Sequence, residues 1–281
     1  MINIGKYNIL KVSRFVDFGC YLEDEEGNEI LLPKRYLLGD ETVGQDLKVF
    51  VYNDSENRPV ATTETPTAVV GDFALMRVKA VNSIGAFLDW GLVAKDLLVP
   101  FREQRVDMKI GRSYIVYVYL DRATNRVVAS AKLDKFLDKH KPDYYHRQKV
   151  DLVVTQRTEI GYRVVVDGRH WGMIYQSETY QEINVGDHID GYVKNIRPDG
   201  KVDVTIEKIQ RMRVGDLAGN ILDYLKDHGG RMAITDKSSP EDVRAAFNCS
   251  KKDFKKAIGQ LYKEHKVQLE PDAVLLTAKL I

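Results

Sequence analysis

The stretch Ile84-Gly85-Ala86-Phe87-Leu88, followed by Leu97-Leu98-Val99-Pro100 and Ile110-Gly111-Arg112-Ser113-Tyr114-Ile115-Val116, decides the fold because altered copies of it lie on both sides. The glycine-broken strand pair recurs as Phe18-Gly19-Cys20-Tyr21-Leu22 and Ile160-Gly161-Tyr162-Arg163-Val164. The short apolar strand recurs as Ile30-Leu31-Leu32-Pro33 and Gly172-Met173-Ile174-Tyr175. The glycine-opened strand recurs as Val43-Gly44-Gln45-Asp46-Leu47-Lys48-Val49 and Val185-Gly186-Asp187-His188-Ile189-Asp190-Gly191. Gly19 to Gly85 is 66 positions and Gly44 to Gly111 is 67, while Gly85 to Gly161 is 76 and Gly111 to Gly186 is 75. Two landmarks that move together mark a small domain repeated three times, too long a period for a solenoid unit.

Each copy reads as all-β. Along Lys109 to Leu120, Tyr114, Val116 and Val118 share one face and Ile115, Tyr117 and Tyr119 the other, the two-residue period of a strand. Turn residues punctuate at short intervals, as in Asp121-Arg122-Ala123-Thr124-Asn125 and Arg197-Pro198-Asp199-Gly200. About five short strands per copy must hide their edges, and a five-stranded Greek-key barrel of the OB type does so economically. The expected modules are 1–65, 66–131 and 148–213. Between the last two, Leu133, Phe136, Leu137 and His140 have helical spacing before Pro142 and Tyr144-Tyr145-His146-Arg147, which predicts a short connector helix over 132–147 acting as a spacer.

Residues 214–281 read differently. Leu217, Ile221, Tyr224, Leu225 and His228 predict a helix ended by Gly229-Gly230. Arg231-Met232-Ala233-Ile234 can form a short strand. Ser239-Pro240-Glu241-Asp242 and Ser250-Lys251-Lys252-Asp253 are two capped helix starts. Phe254, Ile258, Leu261 and Tyr262 are expected on the buried face of the last helix, and 267–276 reads as two strands around Pro271-Asp272. That order is a winged helix. The whole is a multidomain, mostly β chain: three OB-fold barrels in tandem and an α+β winged-helix domain.

The 281 residues are 44% apolar and 30% charged, a soluble composition. No apolar run approaches the roughly 18 residues of a membrane span, and Met1 to Lys6 lacks the features of a signal peptide. The only cysteines, Cys20 and Cys249, fall in different modules, against a disulfide framework or a paired-cysteine zinc site. A cytoplasmic location is expected. The net charge is +1, but residues 1–65 carry 7 basic and 12 acidic side chains whereas 66–131 carry 9 and 6. An acidic first module is poorly suited to gripping phosphates by charge alone, and the later modules are better placed. The six histidines (140, 146, 170, 188, 228, 265) show no metal-ligand spacing, and no dedicated catalytic domain is evident. The chain is expected to be no enzyme and to need no metal or cofactor.

At its landmarks the repeat resembles the S-one domain, an RNA-binding OB fold. That family has aromatic-Gly-x-aromatic on its second strand, then Gly-x-x-His-x-Ser-Glu, a glycine-opened strand and an Asp…Arg turn. Phe18-Gly19-Cys20-Tyr21 follows the first pattern and Gly85-Ala86-Phe87 keeps its second aromatic. Gly172-Met173-Ile174-Tyr175-Gln176-Ser177-Glu178 follows the next with Tyr175 for histidine, whereas Pro33 and Pro100 replace it in the first two copies. Asp121 with Arg126 lies near the turn. The resemblance implies single-stranded RNA as partner, bases stacking on exposed rings and cations holding phosphates. Candidate contacts are Phe18, Tyr21, Phe87 and Arg126 in the first two modules, with Trp90 competing with Phe87 for the core. In the third they are Tyr175 and the aromatic-arginine hairpin Tyr162, Arg163, Arg169, His170 and Trp171. In the winged helix they are Lys251, Lys252, Lys255 and Lys256, on the helix that commonly meets nucleic acid.

The arrangement as a whole resembles the bacterial conserved virulence factor B family. The resemblance rests on Gly-Ala-Phe-Leu-Asp-Trp-Gly (85–91), Asp-Leu-Leu-Val-Pro-Phe (96–101), Asn-Arg-Val-Val-Ala-Ser (125–130) and the 214–276 pattern. It implies a post-transcriptional regulator in a bacterial cytosol. The alternative is a DNA-binding transcription regulator acting through the winged helix. A nuclease and a protein-only scaffold are further classes that an RNA-binding assay separates. Nothing in the sequence fixes an oligomeric state.

Overall fold

The computed structural model describes residues 1–179, 182–206, 214–247 and 249–277. Strands β1 (Tyr7–Val16), β2 (Gly19–Glu23), β3 (Glu29–Pro33), β4 (Asp46–Asn53) and β5 (Pro59–Thr62) form a closed barrel in the order β1-β2-β3-β5-β4. Within it β3 and β5 pair in parallel and the other neighbours antiparallel. The second module, β6 (Phe73–Val81), β7 (Gly85–Leu92), β8 (Lys95–Pro100), β9 (Ser113–Asp121) and β10 (Arg126–Ser130), keeps that order but is open between β8 and β10. The third, β11 (Lys149–Thr158), β12 (Gly161–Val166), β13 (His170–Tyr175), β14 (His188–Ile196) and β15 (Val202–Thr205), is closed again.

Two local devices recur in each module. The first strand carries a bulge, between Val12 and Arg14, Val78 and Ala80, and Val154 and Gln156. An extra residue there bends the strand, so one end pairs with the second strand and the other with the fourth. The second device is the glycine that opens the second strand. A Cβ on Gly19, Gly85 or Gly161 would lie 2.2, 2.2 or 2.0 Å from the carbonyl oxygen of Leu32, Val99 or Ile174. Each has φ between +150 and +156°. Only glycine permits that approach, which explains why this landmark recurs.

The modules are not beads on a string. In β4 every residue from Val49 to Asn53 is buried, although a strand with one wet face should alternate. Its outer face is covered by the second module. Phe50 meets Trp90 edge-on with ring centroids 5.5 Å apart, and Tyr52 lies 6.3 Å from the same indole. Both belong to one core with Met76, Leu88 and Val116. Trp90 is 1% exposed and donates from Nε1 to the Ala68 carbonyl at 2.8 Å, so it fills the core and leaves Phe87 half-buried.

The expected connector helix does not form: among the described residues between β10 and β11, the helical element is a single 3-10 turn, Leu133–Lys135. The helical spacing of Leu133, Phe136 and Leu137 reflects burial on two sides. They pack with Phe73 and Tyr117 of the second module and Val153, Val165 and Trp171 of the third. The Phe136 ring stacks on Tyr117 at 4.2 Å.

The C-terminal domain has the predicted order: α1 (Val214–Asp227), β16 (Arg231–Met232), α2 (Pro240–Phe247), α3 (Lys251–Lys263), β17 (Val267–Leu269) and β18 (Val274–Leu276). The Oγ of Ser239 accepts from the Asp242 backbone at 3.0 Å and that of Ser250 from Asp253 at 3.1 Å, the capping interactions read in the sequence. Phe254, Ala257, Ile258 and Leu261 face the core. Tyr262 does not: it is 54% exposed.

Candidate nucleic-acid interface

Strand parity sorts the candidate residues. The residue after each glycine, Cys20, Ala86 or Tyr162, points into the barrel and is buried. The next, Tyr21, Phe87 or Arg163, points outward and is half-buried. Tyr162 is therefore a core residue, 5% exposed, not an RNA contact. Burial also removes His170, which is 3% exposed. Its Nδ1 lies 3.0 Å from the Tyr144 hydroxyl, and burial, with the Arg169 charge added, pushes its pKa below the usual histidine value. Burial pushes the Tyr144 phenol up to about 12.

In the first module the outward face carries three aromatics. Phe18 is 57% exposed in the turn before Gly19, Phe15 is exposed on β1, and Tyr21 lies beside them. The Arg14 guanidinium covers the Tyr21 ring at 4.2 Å and pairs with Glu29, one of its nitrogens at 2.9 Å. Lys34 and Arg35 follow β3 and are exposed. The second module repeats the face with Ile84, Phe87 and Phe101, and with Arg102 exposed beside Phe101. Arg126 sits elsewhere, at the seam of the first two modules, where its Nε donates to Asn57 Oδ1 at 3.2 Å. Asn53 donates across the same seam to the Asn125 carbonyl at 2.7 Å.

In the third module, the Arg163 guanidinium lies over Trp171, its carbon 3.6 Å from the ring centroid. Asp134, from the connector, accepts from Trp171 Nε1 at 2.9 Å, lies 3.6 Å from Arg163 and pairs with Arg105 of the second module. Arg169 stands apart, exposed and paired with Asp138 at 3.3 Å. Tyr175 is half-buried under Arg197, 5.6 Å from centroid to guanidinium, and Arg197 pairs with Asp203 at 2.7 Å. Sequence reasoning missed Arg197, having placed it only in a turn. On α3, Lys252 and Lys256 project into solvent, Lys255 approaches Asp236 at 3.8 Å, and half-buried Lys251 reaches the Lys237 carbonyl at 3.5 Å.

Among the described residues no group of three or more histidine, cysteine, aspartate or glutamate side chains is placed to hold a metal ion. Among them too, no helix is long and apolar enough to cross a membrane.

Barrels of this order joined to a winged helix define the class as tandem OB modules with a C-terminal winged helix. Residues 4–64 match the family described as S1 domain, and residues 219–276 match the CvfB-like winged helix domain. Over nearly its whole length the chain is similar to the proteins named conserved virulence factor B. It is 23% identical over 286 residues to that of Staphylococcus saprophyticus (98% of this chain, 95% of that protein). To that of Staphylococcus aureus strain N315 it is 22% identical over 285 residues (98% and 95%). The Bacillus subtilis protein YitL is 29% identical over 279 residues (95% and 91%). Among solved structures, a multidomain protein with nucleic acid binding domains from Streptococcus pneumoniae TIGR4 is 27% identical, with 98% of each chain covered and a TM-score of 0.42.

Proposed function

We propose that this protein binds single-stranded RNA in the cytoplasm as a non-catalytic post-transcriptional regulator. One observation carries the reading: the outward position two residues after the recurring glycine holds a planar group in every module, Tyr21, Phe87 or Arg163. A cationic side chain covers that position in the first module, Arg14 over Tyr21, while Arg102 is exposed beside Phe101 in the second and Arg197 lies over Tyr175 in the third. Every base has a π-face, so such planes hold single strands with little sequence preference. The S1 domain and winged-helix matches support a nucleic-acid-binding role. The exposed lysines of α3 give duplex DNA a separate route through the winged helix.

Fluorescence anisotropy with labelled single-stranded RNA, competed by duplex DNA over a salt series, tests the proposal. It expects RNA to bind, to lose affinity as salt rises and to outcompete the duplex. Absence of binding to any single-stranded RNA at low salt refutes it, and preference for one duplex sequence favours the DNA-binding alternative.

A further inference from the structure

The second and third modules enclose a cleft of about 170 Å³. Arg105, Val106 and Tyr114 line it from the second module, and Gln156, Arg163 and Trp171 from the third. This is well below the roughly 300–1,000 Å³ of pockets that enclose a drug-sized ligand. It has room for one planar ring system, not a whole nucleotide.

We infer that the cleft takes a single nucleobase, stacked on the Arg163 guanidinium, with the attached phosphate held at Arg105. Three observations converge. Arg163 occupies the outward position that is aromatic in the other two modules, so a guanidinium plane stands where the ring does elsewhere. Bases stack on arginine planes as they do on aromatic rings. Second, the guanidinium is held over Trp171, its carbon 3.6 Å from the ring centroid, and the indole is itself held by its 2.9 Å hydrogen bond to Asp134. The stack is thus preorganised before any ligand arrives. Third, the charge is right: Arg105 and Arg163 share the single carboxylate of Asp134, leaving one net positive charge at the cleft for a phosphate. Burial and the neighbouring Arg105 both weigh against the Arg163 charge, with Asp134 opposing them, and an anion at the mouth would relieve the repulsion between the two guanidinium groups.

The inference rests on the RNA-binding reading for its source of bases, a strand whose nucleotide enters the cleft; a free mononucleotide carries the same chemistry. The test uses the full-length protein with two probes, labelled oligouridylate and adenosine monophosphate. Two variants act on the cleft from opposite sides: Arg163→Ala removes the plane, and Val106→Phe fills the space from an exposed rim position. Each should weaken oligouridylate by about 5- to 150-fold, the range of one lost stack, while Arg163→Tyr, which restores a plane but not the charge, should recover only part of the affinity lost in Arg163→Ala. Trp171 emission, isolated with Trp171→Phe as reference, should be quenched on binding. Unchanged affinity in both cleft variants, with no change at Trp171, overturns the cleft assignment and leaves the RNA reading standing. Should wild type bind no RNA, the RNA reading falls by itself. Adenosine monophosphate then decides: quenching of Trp171 that Val106→Phe abolishes supports a free-nucleotide site, and no quenching overturns the inference.

Discussion

Phe50→Ala should destabilise the second module although Phe50 belongs to a strand of the first. Phe50 is fully buried, and its ring abuts Tyr7, Tyr52 and Trp90. Truncating a buried phenylalanine costs about 3–5 kcal/mol, transfer and cavity terms together. With a urea dependence of about 2 kcal/mol per molar for a unit of this size, the midpoint should fall by about 2 M. The assay is urea unfolding followed by the emission of Trp90, in a Trp171→Phe background. Trp90 lies in the second module where it meets Phe50 and Tyr52 of the first, and reports on that shared core. Because the two modules share one core, its transition should move by the full amount. A Trp90 transition that stays at its wild-type midpoint, while part of the circular dichroism of the whole chain is lost earlier, would refute the shared core.

Three further outcomes follow from the site. Phe18→Ala with Tyr21→Ala should lower RNA affinity by about 5- to 150-fold with little loss of melting temperature, since Phe18 is exposed and Tyr21 half-buried; equal affinity in a folded double variant means the first module binds no bases. His170 is buried with its pKa lowered, so between that value and about 6.5 the unfolded chain binds the extra proton. Stability is then fully present above 6.5 and is lost as pH falls, and the melting temperature of wild type should drop more between pH 7.5 and 5.5 than that of His170→Asn; parallel curves would disprove it. Lys252→Gln with Lys256→Gln should reduce the slope of log affinity against log salt by about 0.7 for each phosphate no longer neutralised, and an unchanged slope places α3 away from the RNA.

The barrels were legible because the same constraint acts three times: a glycine whose Cβ would strike the neighbouring carbonyl leaves no substitute, so the landmark survives while the residues around it drift. The winged helix was legible from its caps. What the sequence concealed lies where modules meet. Leu133, Phe136 and Leu137 have helical spacing, yet they are apolar because barrels press on them from two sides. The aromatic-arginine hairpin was visible at Arg163 and Trp171, but Asp134, which fixes it, comes from the connector. Tyr162 could have been placed inside by counting from Gly161, since its counterparts Cys20 and Ala86 are too small to serve as platforms and share its strand face. His170 shares its strand face with Gly172 and Ile174, so the same counting places it inside, but its partner Tyr144 precedes the barrel and gave no signal.

Photocrosslinking of bound single-stranded RNA, with the crosslinked peptides located by mass spectrometry, puts the stacking faces to the most direct trial. Crosslinks should gather on the segments holding Phe18 and Tyr21, Ile84 and Phe87, and Arg163 and Trp171. Crosslinks confined to the start of β1, around Tyr7 and Ile9, or to the winged helix alone, would contradict the account.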